Sequence, residues 1–333
     1  MSESSRPASG EDSLIARYFK PLAKDPGAFN LDDDAAALRA GAEDIVVTTD
    51  AIVEGVHFLP DDPPETLARK ALRVNLSDLA AKGAMPAGFV LTLALRVADD
   101  DWLTPFAQGL GEDAAKLGCP LLGGDTVSTP GPLMISVTAF GRLPQGRMVH
   151  RRGARPGDRV VVTGTIGDAA LGLDVLNGGP AAGALASDAV AREMLVARYR
   201  VPQPRNALAK AVRDHASSAM DVSDGLAGDL AKLCLASSVT AVIDVQSIPV
   251  SSAASALLAR KVIGIEALVA GGDDYEILCT VPGDRIDVFT QAARAANVAV
   301  TAIGGIIAGT SPPSFLDAQG RELALKRLSY SHF

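Results

Sequence analysis

Short aliphatic and β-branched runs alternate with helix-periodic segments along most of the chain. Residues 89–95, 133–140 and 159–163 are predicted strands, and residues 64–82 and 102–117 are predicted helices with one apolar face. Elements that alternate in this way bury their apolar faces against one another in layers. The pattern therefore predicts an α/β fold or α+β layers.

A stretch rich in Gly, Pro and Arg over residues 141–158 interrupts this alternation. The chain has 333 residues, and a domain contains about 150 residues on average. We therefore predict two domains. The N-terminal domain covers residues 13–145 and the C-terminal domain covers residues 146–333, and a flexible tail over residues 1–12 precedes them.

The charge balance argues against two classes of partner, nucleic acids and anionic membranes. Lys and Arg number 31 against 39 Asp and Glu, which gives a net charge of -8, so nucleic acids and anionic membranes are not expected as partners. No apolar stretch reaches the length of about 18 residues that indicates a membrane span. The three cysteines form no Cys-x-x-Cys, as is typical of reduced thiols in the cytosol. We expect a cytoplasmic protein.

Aspartates at the ends of predicted elements, some of them next to glycines, are the feature that bears most on function. These acidic positions are residues 32–34, Asp50, Asp78, Asp125, Asp221, Asp224 and residues 273–274. Taken singly, each has a structural explanation, since an Asp before a helix caps it and Gly-Gly-Asp makes a turn. Taken together, carboxylate oxygens favour Mg²⁺, Mn²⁺ or Ca²⁺. Such cations allow an acidic site to accept the phosphates of a nucleotide.

The common phosphate-binding and zinc motifs are missing from the sequence. It contains no Gly-x4-Gly-Lys-[Ser/Thr], no protein-kinase motif set and no His-Glu-x-x-His. Gly164 and Gly167 open a predicted helix, where the spacing favours a tight turn over a phosphate loop. Arg151 has a side chain that suits phosphate, although loop arginines are more often solvated.

A series of short segments occurs in a fixed order from residue 13 to the C-terminus. They are residues 13–19, Thr48-Thr49-Asp50 with residues 55–58, residues 70–84, Gly123-Gly124-Asp125-Thr126, residues 151–158, Asp221-Val222-Ser223-Asp224-Gly225, residues 271–276 and residues 330–333. In this order they resemble the thiamine-monophosphate kinase family, which lies within the aminoimidazole ribonucleotide synthetase-like superfamily.

The resemblance implies the fold and the reaction. The fold would be the two-domain aminoimidazole ribonucleotide synthetase-like fold, with an N-terminal sheet domain and a C-terminal domain that closes over the substrate. Weak alternation in residues 89–95 and 133–140 predicts strands covered on more than one face, and the resemblance implies a homodimer through this sheet. The reaction would be direct, Mg²⁺-assisted phosphoryl transfer from ATP to thiamine phosphate, with no catalytic side chain.

The resemblance also assigns roles to matching positions. The ligands of several Mg²⁺ ions would be Asp34, Thr48, Thr49, Asp50, Asp78, Asp125, Asp221 and Asp224. ATP would be bound at Gly124, Asp125, Arg151 and Ser223. Thiamine phosphate would be bound at His57, Asp273 and Tyr330.

Two departures from the family pattern leave alternatives open. The first loop reads Asp-Asp-Asp instead of Gly-Asp-Asp, so the ligand is Asp34 or, with a one-residue slip, Asp33. Asp273 replaces a Glu, which would make a direct contact longer or water-mediated. Two other functions also stay open. One is an ATP-dependent synthetase of the same superfamily that releases orthophosphate, and the other is a non-catalytic protein that binds nucleotide and Mg²⁺.

Overall fold

The computed structural model describes residues 14–25 and 41–325, which form two compact units. The first unit takes the residues up to Asn75 and Pro86–Arg142, and the second takes Leu76–Met85 and the residues from Leu143 onwards. The sequence predicts a boundary at 145/146, whereas these units divide at 142/143. Among the described residues, no helix is both long and apolar enough to cross a membrane.

A four-stranded sheet and two long helices make up most of the first unit. After a helical turn over Ile15–Phe19 come β1 (Glu43–Val53), α1 (Pro64–Ala81), β2 (Met85–Leu95), α2 (Asp100–Lys116), β3 (Leu121–Ser128) and β4 (Met134–Pro144). The end of α1, from Leu76 onwards, belongs to the second unit. The strand order is β1-β4-β2-β3, and β2 and β3 are parallel. The predicted helices and the predicted strands β2 and β4 are confirmed. The buried apolar stripe of α1, which includes Leu67 and Leu72, explains why its period could be recognised.

Burial along β4 alternates strictly with the side-chain period of a strand. Ile135, Val137 and Ala139 are fully buried, whereas Ser136 and Thr138 are half-buried. Successive side chains of a strand point to opposite faces of its sheet. Among the described residues, therefore, one face of β4 is buried in a core and the other is only partly covered.

Two predictions about this sheet are wrong. Asp50 lies inside β1 and not at the end of an element, and residues 123–125 lie inside β3 instead of forming a turn. Gly124 shows the reason, because a Cβ at this position would lie 2.0 Å from the carbonyl oxygen of Leu91 in β2. Glycine is needed here for the close approach of two strands.

The second unit is built around a six-stranded sheet. Its elements are β5 (Arg159–Thr163), α3 (Asp168–Leu176), α4 (Pro180–Ala184), α5 (Ala189–Arg200), α6 (Ala209–His215), β6 (Ser218–Asp221), α7 (Leu226–Ser237), β7 (Thr240–Asp244), α8 (Ser252–Ala259), α9 (Ile265–Val269), β8 (Ile277–Val281), α10 (Ile286–Ala295), β9 (Val300–Ile307) and β10 (Ser314–Leu316). The strand order is β10-β7-β9-β5-β8-β6. The pairs β5–β8, β5–β9, β6–β8 and β7–β9 are antiparallel, and β10 joins β7 in parallel. The predicted α+β layers are confirmed.

The central strand β5 is covered on both faces. Val160 and Val162 pack in one core with Leu230 of α7, and Val161 packs in a second core with Phe289 of α10. A strand buried on both faces needs an unbroken apolar run, which is why its limits were predicted correctly. After β10, which pairs with β7, the chain turns back and forms a single antiparallel bridge between Leu316 and Glu322.

Candidate active site

Two predicted magnesium ligands of the second unit lie close to each other, Asp78 near the end of α1 and Asp221 at the end of β6. Asp221 is buried, and this burial together with the charge of Asp78 raises the pKa of its carboxyl well above the ordinary range. A hydrogen bond from Ser77 to Asp221 opposes the shift. Two repelling carboxylates form an arrangement that a divalent cation relieves. Mg²⁺ commonly binds one or two carboxylates together with substrate phosphates, so this oxygen-donor pair fits the ion.

Lys82 places a cation beside this carboxylate pair. Its ammonium donates to the carbonyl of Ala219 at 2.8 Å. Burial lowers the pKa of Lys82, the charges of Asp221 and Asp78 oppose that effect, and the charge of Arg151 adds to it. Arg151, a predicted ATP contact, is therefore within electrostatic range of the same cluster. Sequence analysis missed Lys82, although its position four residues after Asp78 in the predicted helix over residues 64–82 was a usable signal.

Backbone hydrogen bonds join the loop after β6 to the loop before β8. The N–H groups of Asp273 and Tyr275 donate to the carbonyls of Ser223 and Val222, and the N–H of Val222 donates to Glu276, each at 2.8 Å. This pairing brings the predicted ATP contact Ser223 next to the predicted substrate contact Asp273. Both Asp273 (φ +70°) and Tyr275 (φ +50°) have left-handed backbone conformations, which are uncommon outside glycine and cluster at functional sites.

Sequence analysis also missed Asp229, a buried carboxylate that supports the loop after β6. It accepts hydrogen bonds from the backbone N–H groups of Ser223 at 3.0 Å and Asp224 at 2.9 Å. Lys232 donates to Asp229 at 2.9 Å and also forms an ion pair with Asp224. Asp224, a predicted magnesium ligand, therefore has a counter-charge in this structure, and its backbone is fixed from below.

Glu276 supports the second loop from inside the protein. Its side chain is fully buried and accepts hydrogen bonds from the Thr163 hydroxyl at 2.6 Å, Arg198 at 2.8 Å and Arg205 at 2.6 Å. Charge-assisted bonds of this kind are the stronger ones in proteins. Glu276 therefore ties the loop that contains Asp273 to β5, α5 and the segment that follows α5.

Asp274 connects the same loop to the start of α3. Its carboxylate accepts a hydrogen bond from the Gly167 N–H at 2.8 Å, and burial raises its pKa well above the ordinary range. Gly167 has φ +90°, and a Cβ there would lie 2.6 Å from Leu268. The prediction that Gly164 and Gly167 form a tight structural turn is confirmed. The Gly167 N–H already donates to Asp274 and is therefore not directed at a phosphate.

The predicted ligands of the first unit fall on opposite edges of its sheet. Thr48, Thr49 and Asp50 lie on β1, and Gly124 and Asp125 lie on β3, with β4 and β2 between them. Neighbouring strands are spaced about 4.8 Å apart, so the two edges are about 14 Å apart. The structure therefore does not bring Asp50 and Asp125 together within one chain.

His57, a predicted substrate contact of the first unit, lies in the turn after β1. Its Nδ1 accepts a hydrogen bond from the Val53 N–H at 3.1 Å, and its carbonyl accepts one from the Lys70 ammonium at 2.9 Å. Two other predicted site residues, Asp34 and Tyr330, lie outside the described residues. In the described part of the chain, no three His, Cys, Asp or Glu side chains converge as a preformed metal centre.

Comparisons with known proteins match nearly the whole chain. The profile "AIR synthase related protein, N-terminal domain" matches residues 32–143, and the profile "AIR synthase related protein, C-terminal domain" matches residues 155–315. A thiamine-monophosphate kinase of Caulobacter vibrioides is 43% identical over 330 residues, which cover 96% of this chain and 89% of the relative.

Two solved structures are also similar to this chain over most of its length. The crystal structure of a thiamine-monophosphate kinase from Stenotrophomonas maltophilia K279a has a TM-score of 0.81 at 37% identity, covering 94% of this chain and 96% of that one. A structure of AaThiL complexed with AMPPCP and TMP has a TM-score of 0.75 at 29% identity, covering 90% and 91%.

Proposed function

The chain belongs to the AIR synthase related proteins and, within them, to the thiamine-monophosphate kinase family, and from this premise we propose that it transfers the terminal phosphoryl group of ATP to thiamine phosphate. The products are ADP and thiamine diphosphate. The complex of AaThiL with AMPPCP and TMP supports this pair of substrates. The reaction requires cellular ATP, and we place the protein in the cytoplasm.

The observation that carries the proposal is the Asp78–Asp221 pair beside Lys82 and Arg151. The two carboxylates would hold Mg²⁺, and the two cations would bind phosphate oxygens of the nucleotide. We propose the remaining ligands as the resemblance assigns them, namely Asp34, Thr48, Thr49, Asp50, Asp125 and Asp224. Bound Mg²⁺ supplies charge neutralisation between two polyanionic substrates.

The protein's own residues act by binding and alignment. The attacking oxygen belongs to a phosphate that is already ionised at neutral pH, so the reaction needs no strong general base. The three thiols are not nucleophiles, since Cys119, Cys234 and Cys279 are buried and burial raises their pKa to about 12, 11 and 12.

Transfer is therefore expected to be direct. The enzyme incubated with γ-labelled ATP alone should retain no covalent label after denaturation, because the sequence places no Ser, Cys or His in an activated-nucleophile pattern. The measurement is acid-quenched gel autoradiography, followed by a chase with unlabelled thiamine phosphate. Label that is trapped on the protein and then chased into product would refute direct transfer.

Tyr330, which would lie against the cationic thiazolium or the pyrimidine of thiamine phosphate, gives a second expected result. Tyr330→Ala should raise the KM for thiamine phosphate about 5- to 50-fold through lost stacking and cation–π contact. The KM for ATP should not change, and Tyr330→Phe should behave as the wild type because the ring makes the contact. A lower melting temperature with unchanged KM values would instead identify Tyr330 as an aromatic plug in the tail.

We also propose a homodimer whose active sites combine residues of both copies. Strands β1 and β3 are the two edges of the first sheet, and Val47 on β1 and Val127 on β3 are 57% and 44% exposed. Exposed apolar edge strands are prone to pair with another chain. Pairing β1 of one copy with β3 of the other brings Asp50 next to the partner's Asp125, which a single chain does not achieve.

The composite site predicts complementation. Asp50→Asn and Asp125→Asn variants should each be inactive as purified, whereas a refolded mixture should recover about a quarter of wild-type activity, since half of the dimers are mixed and each holds one intact site. Light scattering should give about twice the 34.2 kDa of one chain. A mass of one chain, or a mixture as inactive as its components, contradicts the shared site.

One assay tests the function. The purified protein is incubated with Mg-ATP and thiamine phosphate, and thiamine diphosphate, ADP and orthophosphate are measured together. Equal amounts of thiamine diphosphate and ADP support the kinase. Orthophosphate in place of thiamine diphosphate supports a synthetase of the same superfamily, and nucleotide binding without turnover supports the non-catalytic alternative.

A further inference from the structure

Lys70 of α1 is a buried lysine that the proposed mechanism does not use. It is 1% exposed, and its ammonium donates to the carbonyl of His57 at 2.9 Å. A buried ammonium is costly unless its donors are satisfied, and the His57 carbonyl is one of the acceptors that satisfy the Lys70 ammonium. An apolar side chain of similar length would fill the same space without that cost.

The turn that contains His57 is fixed at several other points. The Gly55 N–H donates to the Phe58 carbonyl, and the His57 N–H donates to the Val53 carbonyl, each at 2.9 Å. Phe58 is buried and anchors the end of the turn. These bonds place the His57 carbonyl above α1, where the Lys70 ammonium holds it.

The imidazole of His57 is also fixed in one tautomer. Its Nδ1 accepts the Val53 N–H at 3.1 Å, and a ring nitrogen that accepts a hydrogen bond carries no proton. The proton of the neutral ring is therefore on Nε2, so the ring presents a donor there.

We propose that Lys70 is a positioning residue, which holds His57 so that its Nε2–H donates to a hydrogen-bond acceptor on thiamine phosphate. This inference rests on the proposed function, because His57 contacts the substrate only if that function is correct. Lys70 would act through His57 and not by contact with either substrate. The effect of Lys70 should be specific to thiamine phosphate, because its contact with His57 involves no residue that is predicted to bind ATP.

The experiment compares Lys70→Met with Arg69→Met on the same helix. Arg69 forms an ion pair with Glu112 at the surface. Because this pair does not involve the turn that contains His57, Arg69→Met is the matched control. Lys70→Met is expected to raise the Kd for thiamine phosphate, measured by calorimetry without ATP, about 10-fold through misplacement of His57. The Kd for Mg-AMPPCP should not change, and Arg69→Met should match the wild type for both ligands.

A second variant and a spectrum complete the test. His57→Ala should weaken thiamine phosphate binding, and adding Lys70→Met to it should cause no further loss. The ¹⁵N spectrum of the wild type should show a His57 ring protonated at Nε2, and Lys70→Met should disperse that signal. Independent, additive losses, or a folded Lys70→Met with wild-type affinity, overturn the proposal.

If Lys70→Met does not fold, Lys70→Gln decides, since its amide retains a shorter donor. It should give a thiamine phosphate Kd between those of the wild type and His57→Ala, with the AMPPCP Kd unchanged, and equal effects on both ligands overturn the proposal. If His57→Ala binds thiamine phosphate normally, His57 does not contact the substrate and the proposal is overturned, whereas the product assay tests the proposed function separately.

Discussion

Asp221→Asn is expected to lower kcat by on the order of 10²-fold or more, because the substitution removes one charge from the site that we propose binds two polyanions through Mg²⁺. Asp78→Asn should have a similar effect, and the same holds for Asp50→Asn and Asp125→Asn. Steady-state kinetics at saturating ATP and thiamine phosphate measures the loss. Asp214→Asn is the matched control, since Asp214 pairs with Lys210 at the surface and its loss should leave kcat unchanged.

A second readout separates loss of metal binding from loss of structure. Without Mg²⁺, the Asp221 and Asp78 carboxylates repel each other, and the burial of Asp221 adds to the cost of its charge. Asp221→Asn should therefore melt at the same or a higher temperature than the wild type in Mg²⁺-free buffer, and Mg²⁺ should raise its melting temperature less. Near-normal rates in all four variants contradict the shared-metal site, and slow variants with clearly lower melting temperatures assign these residues to the fold.

Some parts of this site could be predicted because their signal is local. Asp78 follows Asn75 by one helical turn, and Asp221 opens a five-residue segment with Ser223 and Asp224 before a helix. Helices and the fully buried strand β5 could be predicted for the same reason, since a period of 3.6 or an unbroken apolar run is visible in a short window. These features need no knowledge of distant residues.

Other parts depend on contacts between residues far apart in the sequence. Asp and Gly are depleted in strands, so residues 123–125 were expected to form a turn. The approach of Gly124 to Leu91 keeps them in β3. In the same way, Glu276 finds its partners Arg205 and Arg198 at separations of 71 and 78 residues, and no local pattern connects them.

Glu276→Gln is expected to be the most destabilising conservative substitution in the loop before β8. The substitution keeps the shape of the side chain but leaves Arg198 and Arg205 without their counter-charge, with 13% and 24% of their side chains exposed. Breaking a buried ion pair lowers the free energy of unfolding by about 3–5 kcal/mol. Because the arginines are partly exposed, we expect a loss of about 3 kcal/mol. For a unit of this size the melting temperature should fall by about 6–12 °C.

Calorimetry of Glu276→Gln and of Glu112→Gln checks this result. Glu112 accepts from Arg69 at the surface, with 50% and 30% of the two side chains exposed, so its loss should cost less than about 1 kcal/mol. Because Glu276 also ties down the loop with Asp273, the KM for thiamine phosphate should rise in Glu276→Gln at temperatures where the protein is still folded. Arg205→Met added to Glu276→Gln removes one of the uncompensated charges and should recover part of the lost stability. If Glu276→Gln melts like the control, water must satisfy the two arginines, and the loop is held mainly by its backbone hydrogen bonds to Val222 and Ser223.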